Sequence, residues 1–276
     1  MDEHIIEALG RTRVVVRDGK VVEVGEPKIN YCPIFDKNRG IKEITSEAVR
    51  KNIEFRIKDF GMCTPERKLR MKDFLSFGVS ETLSTLLDED LIDCAVIVSE
   101  GCGTVILADP EFVQGMAGRI SAFISTTPII KIMETIGPEN VLDPETAEIN
   151  QIKGVLKAID MGYRNIAVSV VSPEDAKKLR GIEKNNKNVN IYIFAAHLTE
   201  MSEEDANALF DTADVITSCA SKYINEVGNE REVFKVGASV PIFGATEAGE
   251  KFLKRRLEKI GDLKNKPHTK IPDPLI

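Results

Sequence analysis

Apolar residues in the second half of the chain alternate between short continuous runs and stripes at helical spacing. The run 166–171 shows little alternation, as expected for a strand that is buried on both faces. Residues 149–159 carry apolar side chains at the offsets of one helix face. Ser172-Pro173 is a typical helix start, with a capping hydroxyl before a proline in the first turn.

Strands that alternate with capped helices predict an α/β fold with a mainly parallel sheet flanked by helices, in a Rossmann-like layering. The predicted strands are 93–99, 166–171, 189–196, 214–217, 233–236 and 240–243, and the predicted helices begin near Asp143, Ser172, Ser202, Ser221 and Thr246.

The first part of the chain predicts a β-hairpin followed by helices. β-Branched runs on both sides of Asp18-Gly19 indicate two strands joined by a tight turn over residues 12–25. Further helices are expected over 45–59 and 80–87, and from Thr64-Pro65, Asp109-Pro110 and Thr127-Pro128.

These patterns suggest an N-terminal α/β region with the hairpin (1–137), a Rossmann-like α/β region (138–262) and an extended C-terminal tail (263–276). One continuous domain is an equally open alternative, because Gly137-Pro138 is the only clear candidate boundary.

Composition and charge exclude several classes of partner. The chain has 276 residues and a formal net charge of −7, which disfavours nucleic acid and anionic membranes as partners. No apolar run reaches the roughly 20 residues of a membrane span, and the acidic N-terminus lacks a signal-peptide core. We therefore expect a cytoplasmic protein with a small-molecule or protein partner, and assembly into a homo-oligomer is left open.

Four of the five cysteines lie in polar or glycine-bearing segments, whereas Cys94 lies in an apolar strand and is expected in the core. An odd number of cysteines in a reducing compartment argues against a disulfide framework. The thiols are therefore buried fillers, catalytic groups or metal ligands. The four candidate residues are Cys32, Cys63, Cys102 and Cys219.

The carboxyl ends of the predicted strands carry most of the candidate chemistry, because ligands bind at that edge of an open α/β sheet. Cys102, Glu100 and His197 are the predicted catalytic residues, with Cys102 between two glycines that allow close backbone approach to a ligand. The alternatives are a tight turn with a partly buried thiol and a histidine hydrogen-bonded at a strand end. The predicted ligand-binding residues are Gly101, Gly103, Thr104, Ser172, Ser218, Cys219, Gly244 and Thr246.

A metal centre is a further hypothesis, since the four cysteines could together hold an iron–sulfur cluster or another thiolate-bound metal. No pair has the Cys-x-x-Cys spacing that would make this assignment strong, and none of the three histidines is spaced as a zinc partner. The chain also lacks a phosphate-binding loop, a complete dinucleotide fingerprint and a nucleophile elbow.

Four segments resemble methanogenesis marker protein 8, a family of archaeal proteins. They are Tyr31-Cys-Pro-Ile-Phe-Asp, Phe60-Gly-Met-Cys-Thr-Pro-Glu-Arg, Ser99-Glu-Gly-Cys-Gly-Thr and Pro241-Ile-Phe-Gly-Ala-Thr. The resemblance implies a link to methane formation and a reducing cytoplasm rich in iron–sulfur, nickel and thiol-cofactor chemistry.

Two functions follow as expectations. The first is an accessory protein or enzyme of methanogenesis that binds a small anionic ligand or a metal centre, with Cys102 and Cys219 in one crevice. The second is a non-catalytic assembly or regulatory protein that docks on a methanogenesis enzyme complex through the tail or residues 64–72. Whether the protein is an enzyme is left open.

Overall fold

A computed structural model describes residues 2–72, 77–118, 122–261 and 270–276. Within them, the strands are β1 (Glu3–Ala8), β2 (Thr12–Arg17), β3 (Lys20–Val24), β4 (Cys94–Ser99), β5 (Gly103–Leu107), β6 (Ala122–Thr126), β7 (Asn165–Val170), β8 (Asn190–Ala195), β9 (Val215–Thr217), β10 (Phe234–Val236) and β11 (Ile242–Gly244). The α-helices are α1 (Pro33–Arg39), α2 (Ser46–Phe60), α3 (Val79–Asp88), α4 (Pro110–Ala117), α5 (Ile130–Ile136), α6 (Gln151–Asp160), α7 (Pro173–Asn185), α8 (Glu203–Thr212), α9 (Lys222–Glu230) and α10 (Glu247–Ile260).

The larger sheet has seven strands in the order β10-β11-β9-β8-β7-β4-β5. Its four central strands, β9, β8, β7 and β4, are parallel. β5 and β11 run against that direction. The prediction of a mainly parallel sheet is therefore confirmed for the larger sheet, in which β5 and β11 are antiparallel exceptions.

Helices cover both faces of the larger sheet. Along β4, Cys94 and Val96 enter one buried cluster while Ala95 and Ile97 enter another, as alternation along a strand requires. The first cluster includes residues of α6, α7, α8 and α9, and the second includes residues of α3, α4, α5 and α10. The apolar run of β7 is buried on both faces for this reason.

The smaller sheet is antiparallel, with the order β3-β2-β1-β6. The predicted hairpin is confirmed as β2 and β3, and both turn residues, Asp18 and Gly19, have positive φ. α2 packs against this sheet through Val49 and Ile53, in a third buried cluster. β1 and β6, which complete the sheet, were not among the predicted strands.

One predicted helix is absent, and another begins later than predicted. Residues 61–72 form turns and an extended segment instead of a helix from Thr64, because Arg67 turns into the interior and the following residues pack along α4. α6 is capped by Asn150, whereas Asp143 accepts hydrogen bonds from backbone N–H groups in a separate turn. Of the predicted tail, residues 263–269 lie outside the described residues. No helix in the described ranges combines the length and apolar character needed to cross a bilayer.

Candidate functional site

Two cysteines from distant parts of the chain line one cavity of about 250 Å³, which we call the thiol pocket. Cys219 follows β9, Cys32 precedes α1, and His197 follows β8. The pocket therefore lies where the carboxyl ends of two central strands meet the N-terminal part of the chain. Its lining is Glu7, Ala8, Leu9, Gly10, Arg11, Ile29, Cys32, Ile34, Phe35, His197, Thr199, Thr217, Cys219, Ala220, Val240 and Pro272.

The two thiols are held by backbone amides. The N–H groups of His197 and Leu198 donate to the sulfur of Cys219. Those of Ile34 and Phe35 donate to the sulfur of Cys32. Burial nevertheless raises the pKa of each thiol, and the amides only partly offset it. Both cysteines are therefore protonated thiols at neutral pH.

His197 has a neutral imidazole at neutral pH. His197 is exposed by accessible surface area, and the protein around the ring still lowers its pKa through desolvation. A neutral imidazole can accept a proton from a thiol or bind a metal ion.

The backbone around the pocket is strained at several residues that are not glycine. Arg11, His197 and Cys219 have φ of 59°, 61° and 51°, and the adjacent Glu200 has φ of 64°. Left-handed backbone of this kind costs on the order of 1–2 kcal/mol per residue and collects at functional sites. This strain sets the thiol pocket apart from an ordinary gap in packing.

Charges in the lining are paired. Arg11 lies 3.3 Å from Glu7 and 2.7 Å from Glu200, and it also donates to the carbonyl of Thr199. Glu200 in turn lies 2.6 Å from Lys28. Because Arg11 is the single cation among the described lining residues, the pocket offers little attraction for an anion.

The last described segment, 270–276, packs beside the pocket. Tyr31 and Asp273 exchange backbone hydrogen bonds of 3.0 and 3.1 Å, and the N–H of Ile276 donates to the carbonyl of Ala220 at 2.9 Å. Pro272, between these bonds, is part of the lining. This part of the predicted tail is therefore fastened to the body of the protein.

Cys102, the predicted catalytic cysteine, is fully buried in the turn between β4 and β5. Gly101 and Gly103 adopt positive φ as expected, and a side chain at Gly103 would collide with the carbonyl of Ala147. Burial raises the pKa of Cys102, with Glu100 as a further cause. The thiol packs in the core and is not among the residues that line the thiol pocket.

Glu100, the second predicted catalytic residue, forms a buried ion pair. Its Oε1 lies 2.5 Å from Nε of Arg67, and the two side chains are 0% and 1% exposed. The same guanidinium donates to the carbonyls of Lys68 and Gly115 and covers the ring of Phe60. This network explains Glu100 as a structural group.

The expectation that Cys102 and Cys219 share one crevice is wrong. Both follow strands that end at the same edge of the sheet, but β7 and β8 lie between those strands. At about 4.8 Å per strand, the two strand ends are on the order of 14 Å apart. Cys32, from outside the larger sheet, takes the place beside Cys219 that was predicted for Cys102.

The other predicted binding residues are dispersed. Ser172 caps α7, and Thr104 accepts a hydrogen bond from the backbone of Asn150. Ser218 is fully buried, and its hydroxyl has no partner among the described residues. Gly244 is the last residue of β11 and Thr246 lies just beyond it. Because β11 runs antiparallel to β9, the prediction that they lie at the same edge as Cys219 is wrong.

The structure separates the four cysteines that were predicted as a ligand set. Cys63 is fully buried in the cluster beneath the smaller sheet, and burial raises its pKa. Cys102 lies in a different cluster. In the described ranges, no three His, Cys, Asp or Glu side chains are grouped as metal ligands.

A second cavity, of about 130 Å³, lies beside the thiol pocket, and we call it the strand-edge cavity. It sits over the carboxyl ends of β4, β7 and β8, and His197 lines it as well. Its lining is Val79, Ser80, Ile97, Val98, Ala117, Ala122, Phe123, Ile149, Gln151, Ser169, Val170, Val171, Ala196 and His197.

Sequence reasoning missed Arg11 and Arg67, and it grouped Cys32 with Cys219 only as members of the four-cysteine ligand set. Arg67 lies in a basic stretch that is typical of a solvated helix face, so nothing in its neighbours signals burial. The motif around Cys32 was one signal that could have favoured the N-terminal segment as part of the site.

A family model for an uncharacterized protein conserved in archaea (DUF2099) matches residues 4–258. The chain belongs to this family. It is also 47% identical over 268 residues to an uncharacterized protein of Methanocaldococcus jannaschii, a match that covers 95% of this chain and 92% of that protein. No solved structure matches the chain. The expectation that the chain belongs to an archaeal protein family is therefore confirmed.

Proposed function

We propose that this protein is an accessory protein or enzyme of methanogenesis, working in a reducing cytoplasm, that binds a soft, thiol-seeking ligand through Cys32 and Cys219. The observation that carries the proposal is the meeting of two thiols and a neutral imidazole in one strained pocket. Cys32 belongs to one of the segments that resemble methanogenesis marker protein 8. A Rossmann-like layering, supported by helices on both faces of a sheet with a parallel centre, is the matching fold proposal.

The chemistry of the lining favours a soft centre over an anion. Arg11 is neutralised by two carboxylates, so the small anionic ligand expected from the sequence has no free cation to meet. Thiolate sulfur and imidazole nitrogen are the ligands that soft and borderline metal ions prefer, and thiolates also attack electrophilic carbon or sulfur. A soft metal ion and an electrophile therefore share the same recognition chemistry here.

Binding of such a ligand releases protons. Because both thiols are protonated at neutral pH, each must lose its proton before sulfur binds metal or attacks an electrophile. His197, which lines the same pocket, is placed to accept one of these protons. Affinity should therefore rise with pH across the neutral range.

The test uses anaerobically purified protein with two probes, Cu(I) and iodoacetamide. We expect about one copper ion per chain after equilibrium dialysis, and slow alkylation that is confined to Cys32 and Cys219 in the native state. Cys32→Ser and Cys219→Ser should each lower copper affinity at least tenfold. The buried cysteines provide matched controls, because Cys94→Ala and Cys102→Ala should leave both readouts unchanged.

Retention of copper and of the labelling pattern in the Cys32→Ser/Cys219→Ser double variant would overturn the proposal. The proposal would also be overturned if the native protein neither bound Cu(I) nor was alkylated at Cys32 and Cys219. The docking alternative stays a second proposal, and of its expected surfaces described residues 270–276 are packed against the body of the chain while Ile271 remains exposed.

A further inference from the structure

The strand-edge cavity and the thiol pocket share one lining residue, His197. β8 ends immediately before this residue, and its left-handed backbone turns the chain between the two spaces. On one side lie two thiols. On the other lies a small space lined mostly by aliphatic residues, which come from strands, helices and the segments between them.

From this arrangement we infer that the two cavities are compartments of a single site for an elongated ligand, with a thiol-seeking head beside Cys219 and an unbranched apolar arm in the strand-edge cavity. The inference rests on the proposed function and deepens it by naming the ligand class. His197 forms the passage between the compartments.

The size and lining of the strand-edge cavity determine the length and polarity of the ligand's arm. A cavity of about 150 Å³ accepts benzene, so the 130 Å³ found here accepts an arm of on the order of six carbon atoms. Val98, Val170 and Phe123 supply apolar surface. Ser169 and Gln151 make no side-chain hydrogen bond with the described residues, and they are available to one polar group along the arm.

The experiment measures alkylation of Cys219 in a Cys32→Ser background by N-methyl-, N-ethyl-, N-butyl- and N-hexylmaleimide, with rates determined by mass spectrometry. Each methylene that enters an apolar compartment should raise the rate constant up to about fourfold, from about 0.8 kcal/mol per buried methylene. N-Acetylcysteine in solution provides the reference rates, which should not rise with chain length.

Two variants fill the strand-edge cavity from its accessible side. Val171→Phe changes a lining residue that is 43% exposed, so the fold should tolerate it, and Gln151→Trp places a ring at the start of α6. Both should abolish the gain with chain length while leaving the N-methylmaleimide rate unchanged. Leu156→Phe, an equally exposed position on α6 that does not line the cavity, should behave as the parent does.

The outcomes separate the two proposals. A Cys219 that reacts with every maleimide at rates independent of chain length would overturn the elongated-ligand inference and leave the thiol pocket standing. The elongated-ligand inference would also be overturned if the rate constant still rose with chain length in both Val171→Phe and Gln151→Trp. A Cys219 that reacts with none of the reagents would overturn the proposed function and this inference with it.

Discussion

Nε of Arg67 lies 2.5 Å from Oε1 of Glu100, with both side chains almost completely removed from solvent. Removing one partner of a buried pair leaves an uncompensated charge, which typically costs 3–5 kcal/mol. We therefore expect Arg67→Met to lower the free energy of unfolding by about that amount in urea denaturation. Arg70→Met, which breaks an exposed pair with Asp109, should cost less than about 1 kcal/mol. Equal losses in the two variants would contradict the structural role of the Arg67–Glu100 pair.

The pH dependence of labelling should report the raised pKa values of the pocket thiols. Since only the thiolate reacts, alkylation of Cys219 by iodoacetamide at pH 7 should be well below the rate of a free cysteine. The rate should keep rising above pH 9, where a solvent-exposed thiol approaches its plateau. A plateau near pH 8 would show that the pocket lowers the pKa instead.

His197 should make the protein less stable in mild acid. Its pKa is lower in the folded state than its ordinary value of 6.5, so the unfolded chain binds the proton more tightly. The stability that results is present above pH 6.5 and is lost as the pH falls below it. His197→Asn, which suits left-handed backbone, should leave stability at pH 7.5 nearly unchanged and reduce the loss between pH 6.5 and 5. Identical slopes for variant and parent would exclude His197 as a cause.

Backbone strain at Cys219 predicts that glycine destabilises the protein less than alanine at this position. With φ at 51°, glycine fits this position without steric cost and alanine does not. Cys219→Gly should therefore be more stable than Cys219→Ala by about 1 kcal/mol in thermal denaturation. At Cys94, the buried first residue of β4, the order should be reversed, because alanine is a better strand residue than glycine.

Deletion of residues 270–276 should open the thiol pocket. The segment is bound to Tyr31 and Ala220 through its backbone, and Pro272 covers part of the lining. In the shortened chain, Cys32 should be alkylated by iodoacetamide at least several-fold faster than in the full chain at pH 8, while Cys94 stays unreactive. Unchanged labelling of Cys32 would mean that the segment does not control access.

Hydrophobic pattern and capping residues predicted most of the larger sheet. Runs such as 166–171 are buried on both faces because helices lie above and below them. The continuous apolar residues of such a run indicate this environment directly. Strand direction was not readable in the same way. β5 and β11 are as apolar as their parallel neighbours, and only their pairing makes them antiparallel.

The site was predicted only in part, because its two halves come from different sheets. Cys219 and His197 follow central strands, so topology placed them at one edge. Cys32 reaches them through the packing of the N-terminal segment, which no local pattern encodes. Glu100-Gly-Cys102-Gly has the composition of a reactive turn, yet the same glycines serve a tight buried turn when Arg67 neutralises the carboxylate.

The path of β6 has a consequence for the protein as a whole. The chain builds β4 and β5 of the larger sheet, crosses to the smaller sheet to add β6 beside β1, and then returns to form β7. Strands of the smaller sheet therefore lie both before and between strands of the larger sheet along the chain. A cut at any single point between residues 8 and 165 leaves at least one sheet divided between two fragments, so the strands of that sheet would be incomplete in both pieces.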